Sequence, residues 1–432
     1  MNPLTHEEFR KAIQKGQGRV VLHLKEHGSD GFRDDILHAC VHNLVYDVQC
    51  EDRRDDWLMS LIQLTGESDF FREQIFQALP IAVDCGDLQQ IICLVVQFAR
   101  HGATEARLAL YSHFDSQDFR ESCFGGNEII GLDGIDGLVH VAEKIGAALV
   151  GSDEEWLYRS FLDEASERDG TAPVLSRLRQ EAETSENIRA FFQLAEQEKA
   201  LWDEPRSSPR PNIPVDTILA DIEVAKGEFP GTYTTFGRRA EPNDLQPIFE
   251  RLLVEDRRDQ LLRCLWVFRR REPPELHQRL FDLAESADAR LQNGAIAALS
   301  QAQHPKIRDL AIHLLNTNPR TITREAIRLF CKNYLAGDHA IIEQSLFIPD
   351  APEEAHGVGF DLVDLAKKQP LVELARCMEW VYENTPCSNC REWAFKELVA
   401  RDSVPQPILM EAIWDCGEEI RALAQKTVEA KT

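Results

Sequence analysis

Apolar residues recur along this chain at the spacing of an amphipathic helix, not at the alternation of a strand. Phe9, Ala12 and Ile13 share one face, as do Ile188, Phe191, Phe192 and Ala195. Ile307, Leu310, Ala311, Leu314 and Leu315 carry the same stripe over a further turn. Helix-start chemistry stands where the stripes begin. Thr5 and Glu8 match a capping box, in which a hydroxyl takes one orphan N–H and a carboxylate reaches back for another, and Ser152 and Glu155 repeat it ahead of Trp156 and Leu157. Only Arg19 to Lys25 competes as a strand, and its apolar pairs suit a helix equally well. The pattern predicts an all-α protein.

Three stretches interrupt it. Pro205 to Pro214 places four prolines in ten residues, which removes backbone donors and excludes a continuous helix. It divides the chain into a helical domain over 1–204, a linker over 205–214 and a second helical domain over 215–432. Phe229 to Asn243 reads as an ordered loop, and Ile348 to Gly359, with Pro349, Pro352, Gly357 and Gly359, as another.

The second half repeats itself faintly. Arg308, Ala311 and Leu315 stand at the same spacing as Arg391, Ala394 and Leu398, and as Arg421, Ala424 and Val428. The small alanine permits close helix approach, and the arginine is placed to reach an acidic group on a neighbour. Ala295 to Leu299 reads as a helix, followed by a turn at His304-Pro305 and a second helix with Pro305 in its first turn. This texture, clearest over 288–334 and then 389–428, resembles the HEAT repeats of the armadillo-like superfamily. The resemblance implies antiparallel helix pairs stacked into an α-solenoid whose curved surface binds a protein or, in some members, nucleic acid.

Charge changes what such a surface would select. The chain has 48 Lys and Arg against 73 Asp and Glu, a net of −25, and residues 1–204 alone carry −19 of it. An acidic first half repels phosphate backbones and favours a basic partner. The longest apolar run, Ile91 to Val96, stops well short of the roughly 18 residues a membrane helix needs. The first twelve residues lack a basic and apolar export pattern, so the expected location is the cytoplasm, with the eleven cysteines held as thiols.

Candidate chemistry is sparse. Arg238 to Arg279 holds ten arginines among eight acids, and its densest part nominates Arg257, Arg258, Trp266, Arg269, Arg270 and Arg271 as a partner-binding patch. A salt-bridged helical face is the plainer reading of the same residues. His38 and His42 lie one helical turn apart with Cys40 between them, a weak metal candidate lacking the glutamate of a zincin motif. Cys387 and Cys390 form a single CxxC, which zinc would need two more ligands to use; Cys377 and Cys416 qualify only if the fold brings them there. The glycine-rich segment from Gly125 to Gly146 lacks the Lys and hydroxyl of a phosphate loop and reads as a turn into the helix of Leu138, Val141, Ala142 and Ile145. No nucleophile elbow occurs, and no catalytic residues or cofactor are assigned.

The expectation is therefore a non-enzymatic scaffold or adaptor that binds another protein on a helical-repeat surface. Two rivals are a nucleic-acid-binding protein resembling the HEAT-like DNA glycosylases, using 238–279, and a metal-dependent enzyme centred on His38 and His42.

Overall fold

The computed structural model describes residues 2–119, 122–150, 159–203, 213–224, 230–317 and 319–431. Most of the proline-rich stretch and the Ser152–Glu155 box lie outside them. Among the described residues every regular element is a helix.

The helices run α1 (His6–Lys15), α2 (Arg19–His27), α3 (Arg33–Val41), α4 (Asp55–Thr65), α5 (Ser68–Ala78) and α6 (Cys85–Arg100). Then come α7 (Thr104–Asp115), α8 (Gly126–Asp133), α9 (Ile135–Leu149), α10 (Arg159–Asp169), α11 (Thr171–Ala182) and α12 (Glu186–Asp203). Beyond the proline-rich stretch lie α13 (Val215–Val224), α14 (Pro230–Arg239), α15 (Pro242–Val254), α16 (Arg258–Val267), α17 (Gln278–Ala284) and α18 (Ala289–Leu299). The remainder are α19 (Pro305–Thr317), α20 (Pro319–Asn333), α21 (His339–Ser345), α22 (Pro352–Lys368), α23 (Ala375–Asn384), α24 (Ser388–Ala400), α25 (Gln406–Ala412) and α26 (Glu418–Lys431). Two compact units result: residues 1–207 with 410–421, and residues 208–409 with 422–432.

In the first unit, Thr5 and Glu8 form the expected capping box on α1, and Phe9, Ala12 and Ile13 are buried. Its centre is α6, where Ile91, Ile92, Leu94 and Val95 are almost wholly enclosed because α3, α4, α5, α7 and α8 all pack on it. Gly134 separates α8 from α9 at φ 60, a conformation that a side chain would strain. Residues 410–421 complete this unit. The Trp57 indole donates to the Trp414 carbonyl at 3.0 Å, and the Cys416 amide donates to the Gly16 carbonyl at 2.9 Å.

The second unit has a simple order of packing. Helices α16, α18, α20, α22 and α24 each pack on the next in that series, while α17, α19 and α23 pack on the helix that follows each in the chain. Pro305 opens α19, whose Ile307, Leu310, Ala311, Leu314 and Leu315 are buried as the periodicity predicts. Two expected loops are helices instead. From Pro230 onward the segment forms α14, because Tyr233, Phe236 and Gly237 supply a buried i, i+3, i+4 face against α16. The third interruption ends at Ala351: Pro352 opens α22, so Gly357 and Gly359 sit inside a helix where neighbours come close.

The recurring arginines do not share one role. Arg308 forms a bidentate pair with buried Asp338, as close as 2.5 Å. Arg391 is wholly buried, and Arg421 donates to the carbonyls of Asp415 and Cys416.

Candidate functional site

Trp266 near the end of α16, Arg290, Asn293 and Ala297 on one face of α18, and Arg324 and Arg328 one turn apart on α20 are brought into register by the stacking of these three helices. With Arg269 and Glu325 they line a recess of about 420 Å³. Gly294 also lines it, and a side chain there would press on Leu265. On the far side, Asp361 of α22 is buried and takes the Arg324 and Arg328 Nε atoms at 3.1 and 2.9 Å.

Among the described residues, the charge balance of this recess is positive. Four guanidinium groups face two carboxylates, and burial raises the pKa of both Glu325 and Asp361 against the pull of Arg324 and Arg328. Partial desolvation, and then the fields of Arg328, Arg270 and Arg324, push Arg269 down although its side chain reaches solvent. Crowded like charges of this kind are relieved by an anion, and a guanidinium fork matches a carboxylate or phosphate edge. In the first unit, by contrast, a recess of about 570 Å³ is lined by Asp69, Glu73 and Glu105 around Arg72, which already bridges Asp69 at 3.0 Å and Glu105 at 3.2 Å.

The six residues nominated by the sequence separate into two groups. Trp266 and Arg269 line the recess, with the Trp266 ring 5.9 Å from that of Tyr233. Arg270 is exposed beside Arg269, and Arg271 is half-buried just beyond it. Arg257 and Arg258 are engaged elsewhere in the fold. Arg257 binds Glu223 at 2.5 and 2.8 Å and Glu255 at 2.9 Å, and Arg258 binds Asp288, which caps α18. Arg290, Arg324, Arg328 and Asp361 carried no local signal beyond the one-turn spacing of Arg324 and Arg328.

The Arg257 network titrates in acid. Hydrogen bonds from Arg257 and then Arg251 hold Glu223 down at about 2, and Glu255 is lowered by Arg257 in the same way. A carboxylate lowered by folding stabilises fully above its unfolded value near 4.5 and loses that contribution as pH falls toward about 2. The corner joining α13, α15 and α16 is expected to loosen across that window. Circular dichroism of a Glu223→Gln variant should show a shallower acid transition than the parent chain, and an identical one would remove the network from the explanation.

The histidine pair of α3 does form, with ring centroids 4.5 Å apart, but His42 Nδ1 lies 2.8 Å from Asp87. Cys40 is wholly buried in the apolar core, and burial pushes its thiol up. Among the described residues the one group of three metal donors lies elsewhere, at His356, Cys387 and Cys390. Cys416 belongs to the core of the first unit, and Cys377 is not part of that group. No helix among the described residues is long and apolar enough to cross a membrane.

Among the described residues, this recess gathers positive charge around open space. No protein-family model, curated protein or solved structure matches the chain, so its own residues carry the functional reading.

Proposed function

We propose that this is a non-catalytic helical-repeat protein of HEAT type, an adaptor that docks an acidic segment of a partner protein in the recess between α16, α18 and α20. The observation that carries this reading is the convergence of Arg269, Arg290, Arg324 and Arg328 beside Trp266. Stacking of alternate helices from α16 to α24, each packed on the next, supports a repeat architecture. The recess is sized for a few side chains, and a net charge of −25 opposes a long polyphosphate, so an acidic peptide fits better than a nucleic acid. Paired arginines would grip carboxylates bidentately, with Trp266 packing on the intervening aliphatic stem.

The test is fluorescence anisotropy with a labelled ten-residue polyglutamate and, in parallel, a ten-nucleotide single strand. Polyglutamate binding that weakens with added salt is expected, and Arg269→Glu with Arg290→Glu should reduce it by about tenfold or more. Both arginines are exposed, so the double variant should keep the parent's circular dichroism. Equal loss on Arg100→Glu, an exposed site in the first unit, or binding of the oligonucleotide alone would overturn the proposal.

A further inference from the structure

Cys387 is the N-cap of α24 and Cys390 its third residue, so both thiols stand at the helix end where unpaired N–H groups favour negative charge. His356 approaches from α22, and its Nδ1 lies 3.5 Å from Cys390 Sγ. One donor atom from each of the three residues lies within 4.8 Å of the others. Cys387 and Cys390 are buried and His356 is half-buried.

The close approach is built into the backbone. Gly359 follows His356 by nearly one turn, and a Cβ added there would stand 2.2 Å from Thr385 Cγ2. Its absence lets α22 settle against the segment that leads from Thr385 to Cys387.

We propose that His356, Cys387 and Cys390 bind a zinc ion, with water in the fourth position. Zinc bonds of about 2.3 Å to sulfur and about 2.0 Å to nitrogen place tetrahedral donors about 3.5–3.8 Å apart, so the three atoms need move only a fraction of an ångström or so to close on the ion. Two thiolates and a neutral imidazole offset the 2+ charge, which lets the centre sit beside the core without a net charge. Binding deprotonates both thiols and releases their protons to solvent, so affinity rises with pH. No electron transfer is involved. The ion would join α22, the helix that also carries Asp361, to α24.

The intact chain, purified without chelator, should hold one zinc by elemental analysis. Zinc should protect two thiols from a disulfide reagent, and cobalt(II) should give thiolate charge-transfer absorption with tetrahedral ligand-field bands. Cys387→Ser with Cys390→Ser should abolish these signals, His356→Ala should weaken binding by about 10-fold or more, and His38→Ala with His42→Ala should leave both unchanged. Thiol protection is read on the unaltered chain, so it stands even if a variant misfolds. Unprotected thiols in zinc-loaded protein, or a cobalt spectrum that survives the double serine variant, would overturn the assignment. Polyglutamate binding can fail without affecting any of these readouts.

Discussion

Replacing Gly237 with alanine is expected to destabilise the second unit by about 3 kcal/mol or more. Gly237 lies on the buried face of α14, where the helix meets the backbone of α16. An added Cβ would stand 1.8 Å from the Val267 carbonyl oxygen and 2.8 Å from its carbonyl carbon. Backbone cannot rotate away as a side chain can, so the two helices must separate and open the packing of Tyr233 and Phe236. For a unit of about two hundred residues this corresponds to a fall in melting temperature of roughly 6–12 °C. Gly231 supplies the control. It lies in the same helix with nothing within 4 Å of its missing Cβ, so alanine there should be neutral or slightly stabilising through lower chain entropy. Calorimetry of the two variants checks the argument; equal melting temperatures would show that α14 packs on α16 less tightly than described.

Arg401→Ala should cost a comparable amount, about 3–5 kcal/mol, through lost hydrogen bonds and not lost volume. The Arg401 side chain is 3 % exposed. Its Nε donates to the Leu371 carbonyl at 2.9 Å, Nη1 to the carbonyl and carboxylate of Glu397 at 2.8 and 2.6 Å, and Nη2 to the Ala366 carbonyl at 2.7 Å. Ala366 lies in the last turn of α22, where carbonyls lack helical partners and a cation is favoured. Arg401→Met refills the space but supplies no donor, so it should fall nearly as far as alanine. Arg401→Lys should recover only part, since one ammonium cannot serve acceptors spread along three edges of a planar fork. Denaturant titration of the three variants gives the ranking, and a methionine variant as stable as the parent would assign the effect to packing.

The readable parts of the fold are those whose cause is local. The Thr5 box and the buried stripe from Ile307 to Leu315 behind Pro305 depend on residues within two turns of one another, and the structure has them as the pattern implies. The segments at Pro230 and Pro352 misled for a related reason. A proline in the first turn costs a helix nothing, and Gly237, Gly357 and Gly359 answer to neighbouring helices that local spacing does not reveal. The candidate recess was half legible. Density of arginine located Trp266 and Arg269, but only tertiary structure separates them from Arg257, held by Glu223 and Glu255, and from Arg258, held by Asp288. His356 gave no signal at all, because a donor thirty-odd residues from its CxxC is defined by how α22 lies on α24.

The return of residues 410–421 to the first unit sets an order of events during translation. The whole of 208–409 must be synthesised between Ser207 and the segment that carries Trp414 and Cys416. At about 5–20 residues per second, that interval lasts roughly 10–40 s. Throughout it, the Trp57 indole and the Gly16 carbonyl have no Trp414 or Cys416 to bond, and Arg19 lacks Glu411. Residues 410–421 therefore close the first unit only after the chain of 208–409 has been made.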